Sequence, residues 1–327
     1  MVLPADCQSS MGWKGYARIG GASGPVLPYR TEDLAEKINL IASTGIHGGG
    51  VGSENGVFGS VINIAIGQAE YSGTIVGEVF GGSGNFALAF TELLKRAMGA
   101  SSANHTLRIC GFTPTDALIL SPGGGATFSF PAISSGPSVR KALIKTFTLS
   151  GNPGEIVTYS ANLLSAGFEV LNASTAQFPP ATTEFPYEPV SNLDDSNPVP
   201  YYASNFTVAG SGETDLINRV TDWSLTIENN SYALYTFNNS NAPTDILQGQ
   251  MVVNGSFKIY SPNGAFVFPL TQGATLSITL GTNIIQSGYV AFSTAPVTSS
   301  GGLNAPVFRD ISFICIAKDA NTASIHL

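Results

Sequence analysis

The sequence predicts a mainly β (α+β) protein, a β-sandwich or barrel with one flanking helix, on three observations. Apolar and polar residues alternate along several short runs, the period of a strand with one buried face. Gly (37) and Pro (19) recur too often along the 327 residues to leave room for long helices. Charged residues make up only 11% of the chain against 43% hydrophobic ones, which excludes a disordered chain and a coiled coil. Ser (35), Thr (27) and Asn (22) do most of the solvating. No stretch approaches 18 apolar residues without a polar break, so no transmembrane helix is expected.

The elements follow in chain order. Residues 1–30 are punctuated by Gly and Pro and read as an extended arm. Thr31 offers an N-cap, Glu32 and Asp33 fill a first turn, and Leu34, Ile38 and Ile41 recur at helical spacing, which predicts a short helix over 32–42. Gly45–Gly52 ends it as a loop. Strands are expected at 58–66 and 70–80, with Ile62, Ile64 and Ile66 on one face of the first and Tyr71, Ile75 and Val79 on one face of the second. The clearest helix spans 86–98. Asn85 caps it, Phe86, Phe90, Leu93, Leu94 and Ala97 form one stripe, Lys95 and Arg96 sit in the last turns, and Gly99 stops it.

Strands follow near 106–112, 116–120, 126–130 and 141–150, with a further extended run over 155–171. Residues 172–212 change character: Pro179, Pro180, Pro186, Pro189, Pro198 and Pro200 crowd a stretch carrying Glu184, Glu188, Asp194 and Asp195. Each proline removes a ladder donor, so the segment reads as a long surface loop or insertion. The last third alternates most cleanly. Trp223, Leu225 and Ile227 oppose Asp222, Ser224, Thr226 and Glu228. Met251, Val253, Phe257 and Ile259 repeat the pattern, as do Leu276, Ile278 and Leu280. The final strand carries Val307, Ile311, Phe313 and Cys315 on one face and Phe308, Ile314 and Ile316 on the other, so both faces should be buried, in its own core or against a neighbour subunit. The chain thus divides into an arm with a short helix (1–55), a first β region containing helix 86–98 (56–171), the Pro-rich insertion (172–212) and a second β region (213–327).

Motif by motif, the chemistry is thin. Gly82, Gly84 and Ala87 match G-x-G-x-x-A between a strand and a helix, the setting of a dinucleotide fingerprint. No acidic residue follows about 20 residues on to hold a ribose, and no βαβ alternation continues. The turn is read as a flexible connection. His47, His105 and His326 are widely spaced and select no Ser–His–Asp trio. Asp194-Asp195-Ser196-Asn197 offers oxygens but lacks calcium-loop spacing. Phe86 and Phe90 read as core and not as a ligand stack. Cys7, Cys110 and Cys315 form no CxxC pair, and Cys110 and Cys315 read as buried thiols. No catalytic, cofactor-binding or metal-binding residue is assigned, and no enzyme activity or cofactor is expected. With 14 basic against 22 acidic residues, net −8, tight binding to nucleic acid is not expected.

Three passages together resemble the tail-tube (major tail) proteins of long-tailed bacteriophages. They are the hairpin-then-helix run Glu70–Gly99, the strand pair within Thr221–Tyr260 (DWSLTIENN, then ILQGQMVVNGSFKIY), and the terminal strand in Pro306–Asp319. The resemblance implies one β tube domain built from the two β regions, stacking as six-subunit rings around a channel that conducts DNA. It implies a virion protein, made in the host cytoplasm, that contacts itself and tail partners such as sheath, terminator or baseplate, with DNA passing unbound and no membrane. Strands Thr221–Glu228 and Gln250–Tyr260 would contribute to the shared barrel, and segments 1–30 and 172–212 would bridge neighbours. Another tail or baseplate ring protein, a capsid protein, or a carbohydrate-binding sandwich using Trp13, Trp223, Tyr201 and Tyr202 stays open at this point.

Overall fold

The computed structural model describes residues 15–19, 25–42, 64–99, 105–111, 125–130, 142–167, 169–171, 196–209, 219–237, 241–260, 274–293, 297–299, 307–317 and 324–327. The chain opens with β1 (Gly15–Ile19), β2 (Val26–Tyr29), β3 (Thr31–Glu32), β4 (Ala35–Ala42), the 15-residue β5 (Ile64–Glu78) and β6 (Phe80–Gly82). Helix α1 (Asn85–Ala97) comes next. It leads to β7 (His105–Gly111), β8 (Gly125–Phe130), β9 (Ala142–Gly151), β10 (Thr158–Ser165), β11 (Glu169–Leu171), β12 (Ser196–Pro198) and β13 (Ser204–Ala209). The chain closes with β14 (Val220–Glu228), β15 (Tyr232–Leu234), β16 (Asp245–Leu247), β17 (Val252–Tyr260), β18 (Ala274–Leu280), β19 (Asn283–Phe292), β20 (Val297–Ser299) and β21 (Val307–Cys315).

The fold is mainly β with one flanking helix, as the alternation predicts. The large antiparallel sheet runs β13-β18-β19-β21-β17-β14-β9-β10-β5-β3, with β4 added to β5 and β20 to β21. It curls on its apolar face. Phe206, on the terminal strand β13, stacks on Trp223 of the distant β14 with ring centroids 6.1 Å apart. It also meets Phe257 of β17 at 4.9 Å and Phe313 of β21 at 6.2 Å. A flat sheet would hold these strands far apart, since neighbouring strands are spaced about 4.8 Å. A second sheet, β11-β8-β7-β1-β2, lies across α1 from the first.

Helix α1 follows its sequence signal closely. Phe86, Phe90, Leu93, Leu94 and Ala97 are all buried, and Gly99 takes φ +67 just past the end. Phe90 packs on Phe147 and Tyr159 of the large sheet. The N-cap is Gly84 with no side-chain cap bond, one residue ahead of the expected Asn85.

Three expectations are corrected. Residues 35–42 form strand β4, not a helix, paired with β5 from Ala35↔Ser72 to Ala42↔Ile64. An isolated helix of about ten residues is marginal in water, whereas β5 offers a ladder that satisfies the same backbone groups. Residues 15–19 and 26–29 are not a free arm. They pair with each other, and β1 pairs with β7. The end of the Pro-rich segment is not a surface loop either, because β13 pairs with β18 and buries Phe206 and Val208. Pro198 enters only the short β12–β6 pair at the margin, where its missing donor is tolerated. Residues 1–14, the loop Gly45–Gly52, the strand at 116–120 and residues 172–195 lie outside the described residues.

Candidate functional site

The glycine-rich turn of the dinucleotide-like motif is filled by protein. Gly281 crosses Gly81 so closely that a Cβ on Gly81 would lie 2.8 Å from the Gly281 Cα. The Thr282 hydroxyl donates to the Gly82 carbonyl at 2.9 Å, and Gly82 itself pairs with Ser196. The glycines therefore let two backbone segments touch, and no cradle for a pyrophosphate is left there. Phe86 and Phe90 are core residues.

The histidines do not converge among the described residues. His105 opens β7, exposed His326 bridges backbone to backbone with Gln286, and His47 is outside the described set. Asp194 and Asp195 are likewise outside it, and Ser196 and Asn197 belong to β12. No group of three or more His, Cys, Asp or Glu among the described residues could hold a metal. Cys315 is buried, its thiol pushed up to about 11 by desolvation against a smaller opposing hydrogen bond from Ser287. Trp223 is 3% exposed and belongs to the core. Tyr201 donates to the Val220 carbonyl at 2.6 Å, and burial and then Asp222 raise its phenol. Of the four aromatics considered for sugar binding, Tyr202 alone is exposed among the described residues.

Two surfaces stand out instead. The first is the outer face of the curled sheet. Alternation sends Trp223, Leu225 and Ile227 inward and Ser224, Thr226 and Glu228 outward, and β9, β10, β17 and β21 repeat the pattern. Strand register then aligns the outward residues in rows across five strands. One row is Thr158, Ser150, Ser224, Ser256 and Ser312. The next is Ser160, Thr148, Thr226, Asn254 and Ile314. Neither row holds a charge. Side chains bond sideways along them: Ser150 to Thr158 at 2.9 Å, Ser224 to Ser256 at 3.0 Å and Thr148 to Thr226 at 3.2 Å. Beside them, Lys258 Nζ sits 3.5 Å from Asp222 and 3.6 Å from Asp310, and those two carboxylates, Asp222 first, raise its pKa.

The second surface is the ribbon formed by β4 and the first half of β5. The pairing of β10 with β5 stops at Ser165↔Tyr71, so among the described strands residues 64–70 continue beyond it with β4 alone alongside. Leu40 and Ile66 face each other directly across the ribbon, 61% and 68% exposed. Ile38 and Ile41 are exposed too, so among the described residues the ribbon carries exposed apolar side chains on both faces. At its base the Ala69 amide donates to the Asn241 carbonyl and the Tyr235 hydroxyl to the Ala69 carbonyl. Exposed Tyr232, Leu234 and Phe237 stand in the segment that makes this tie.

Sequence reasoning missed the ribbon because it read Ile38 and Ile41 at helical spacing. The signal available was the pair of isoleucine-bearing runs on either side of a Gly-rich stretch, a hairpin pattern. The rows were legible strand by strand as alternating Ser, Thr and Asn, but their alignment needs the register.

The arrangement holds no convergent acids, bases or nucleophiles among the described residues. It offers an uncharged hydroxyl wall and an uncovered apolar ribbon, features of a subunit in an assembly. No curated protein matches the sequence. Residues 21–315 match the family described as phage tail tube protein. That match spans most of the chain and encloses α1, the hydroxyl rows and the ribbon alike, and so the chain belongs to the phage tail tube protein family.

Proposed function

We propose that this chain is the tail-tube subunit that polymerises into stacked rings, six copies each, forming the DNA-conducting channel of a phage tail. Membership in a structural tail family makes it a virion tail component, and that family is not an enzyme class. The observation that carries the finer reading is the β4–β5 ribbon. A two-stranded ribbon is marginally stable by itself in water. This one presents Leu40 and Ile66 on one face and further isoleucines beside them. Such a ribbon is stable when a second copy covers it, and a subunit that stacks supplies that second copy.

Both ends of the large sheet support the same reading. Strand β13 closes one end, and β3 and β4 close the other. Open edges are a hazard that proteins remove by pairing or covering. A head-to-tail contact between unlike edges closes into a ring when its rotation allows. The two β regions, 56–171 and 213–327, then act as one tube domain. Sheath, terminator and baseplate proteins are the further partners, and assembly follows synthesis in the host cytoplasm.

Negative-stain electron microscopy of the purified chain over a range of concentrations tests this. Hollow tubes or stacked rings with a central channel are expected. Compact particles without a channel, or a monomer that stays single even when seeded with purified tail tips, would refute it.

A further inference from the structure

Resting on the tail-tube reading, we infer that residues 324–327 are an exchangeable strap, seated on β19 of their own subunit while it is single and on β19 of a second copy in the tube.

Strand β19 is paired along one edge with β18. Along its other edge β21 runs from Phe292↔Phe313 to Val290↔Cys315, and the Ile316 amide donates to the Tyr289 carbonyl at 2.9 Å. Toward Asn283, the backbone partner on that edge among the described residues is His326. Its amide donates to the Gln286 carbonyl at 2.9 Å, and its carbonyl accepts from the Gln286 amide at 2.8 Å. Ile325 beside it is 3% exposed and belongs to the main core, whereas Gln286, His326 and Leu327 are exposed. The seat is thus a strand edge with a socket for one branched apolar side chain.

Three features make this seat exchangeable. It is held by a single backbone bridge and one buried side chain, and so few contacts open locally far more readily than a full ladder. It closes an edge that would otherwise be free to pair with another strand, so an open seat calls for an occupant. The connection is also long. Ile316 and His326 meet β19 at Tyr289 and Gln286, three residues or about 10 Å apart along the strand. The nine residues between Ile316 and His326 give a chain that extends to about 33 Å. That slack lets residues 324–327 reach β19 of a neighbour. The occupant is a second copy because its own 324–327 makes the same bonds and fills the same socket, so exchange loses no contact at the seat. Passed head to tail around a ring, every strap is seated and every β19 edge stays closed.

Cross-linking between singly substituted chains tests this. Gln286 and His326 form a hydrogen-bonded pair, whose Cα separation of about 5.5 Å suits a disulfide. Gln286→Cys and His326→Cys chains are mixed, assembled and mildly oxidised. Each variant alone and the wild type, which has three cysteines, set the background. The expected result is a disulfide-linked pair of chains in mixed tubes and none above background in the mixed subunits before assembly. Mixed tubes without that pair, or a pair already present before assembly, would overturn the exchange and leave the tube reading standing. The double variant, oxidised while single, should close the disulfide within one chain, and its failure to do so would remove the seat itself. If the wild type makes no tubes at all, the underlying reading fails first. A variant that does not assemble beside a competent wild type leaves the decision to amide exchange of the unsubstituted chain. There the Gln286 amide of the single subunit should exchange at least about tenfold faster than the amides that pair β18 with β19. Equal protection would show a strap that stays shut, and the inference would fall.

Discussion

The Asn229 side-chain amide donates to the carbonyl of Ala97 at 2.9 Å, joining the end of β14 to the last turn of α1. A second bond from the same nitrogen reaches the Ile144 carbonyl at 2.8 Å. One buried residue thus satisfies an orphan carbonyl at the helix C-terminus and bonds a second carbonyl beside the bulge in β9. Asn230 follows in the left-handed region at φ 47 and turns the chain away. Asn229→Ala leaves both acceptors buried without that donor. It is expected to lower stability by about 2–4 kcal/mol, read as a lower urea midpoint. An unchanged midpoint would remove Asn229 from this role.

Gly281 and Gly154 separate two costs of replacing a glycine. Both have positive φ, +63 and +81. A Cβ at Gly281 would lie 2.5 Å from the Gly81 Cα, while at Gly154 it meets nothing within 4 Å. Gly154→Ala should cost about 1 kcal/mol from backbone strain alone. Gly281→Ala must also push the crossing backbones apart and should cost more than about 3 kcal/mol or prevent folding. Equal melting temperatures for the two variants would show that the crossing at Gly81 yields freely.

The ribbon gives a variant that separates folding from assembly. Leu40 and Ile66 make their cross-strand contact in the open, so Leu40→Asp with Ile66→Asp should change monomer stability by no more than about 1 kcal/mol. Tube formation should be lost, because two adjacent carboxylates cannot be buried against a neighbour without partners. Thermal melts and electron microscopy of the same sample read both. Wild-type tubes from the double variant would show that the ribbon is not covered in the assembly.

Deletions divide the Pro-rich segment. Removing 172–212 takes away β12, β13 and the buried Val199, Phe206 and Val208. Losing Phe206 from its contacts with Trp223, Phe257 and Phe313 alone is expected to cost about 3–5 kcal/mol. That deletion should yield an unfolded or aggregated chain. Removing 172–195 spares all three side chains and should leave a cooperative thermal transition. Circular dichroism on both deletion variants decides, and a well-folded 172–212 deletion would contradict the core assigned to β13.

Alkaline pH should loosen the core. Cys315 is held protonated in the folded state, from an ordinary 9.0 up to about 11, and burial raises the Tyr159 phenol well above its usual value. The unfolded chain ionises these groups at their ordinary values. Stability is therefore full below about pH 9 and falls as pH rises toward 11, because the unfolded state then gains by losing protons. Cys315 alone gives a slope of about 1.4 kcal/mol per pH unit in that window. Urea midpoints across the window should fall in the wild type and fall less in Cys315→Ala. Identical slopes would exclude the thiol as a cause.

Local signals were legible wherever the core decided the residue. The α1 stripe, Gly99 as its stop, and the alternation of β14, β17 and β18 all follow from side chains that must be buried on one face. Segment 32–42 misleads because its Glu, Leu, Ala and Lys favour a helix locally, while an available edge on β5 settles the backbone as strand. The prolines of 172–212 likewise conceal β13, since composition over the segment hides six residues that pair with β18.

By itself, then, the sequence determined the strand faces, the helix and the low charge, because each depends on residue type and short-range period. Tertiary structure decided which hydroxyls align into rows, that Gly81 and Gly281 cross, and that β4 stands uncovered beside β5. Those features depend on register and on contacts between residues up to 200 positions apart. Local pattern carries no information at that range; pairing across the sheet does.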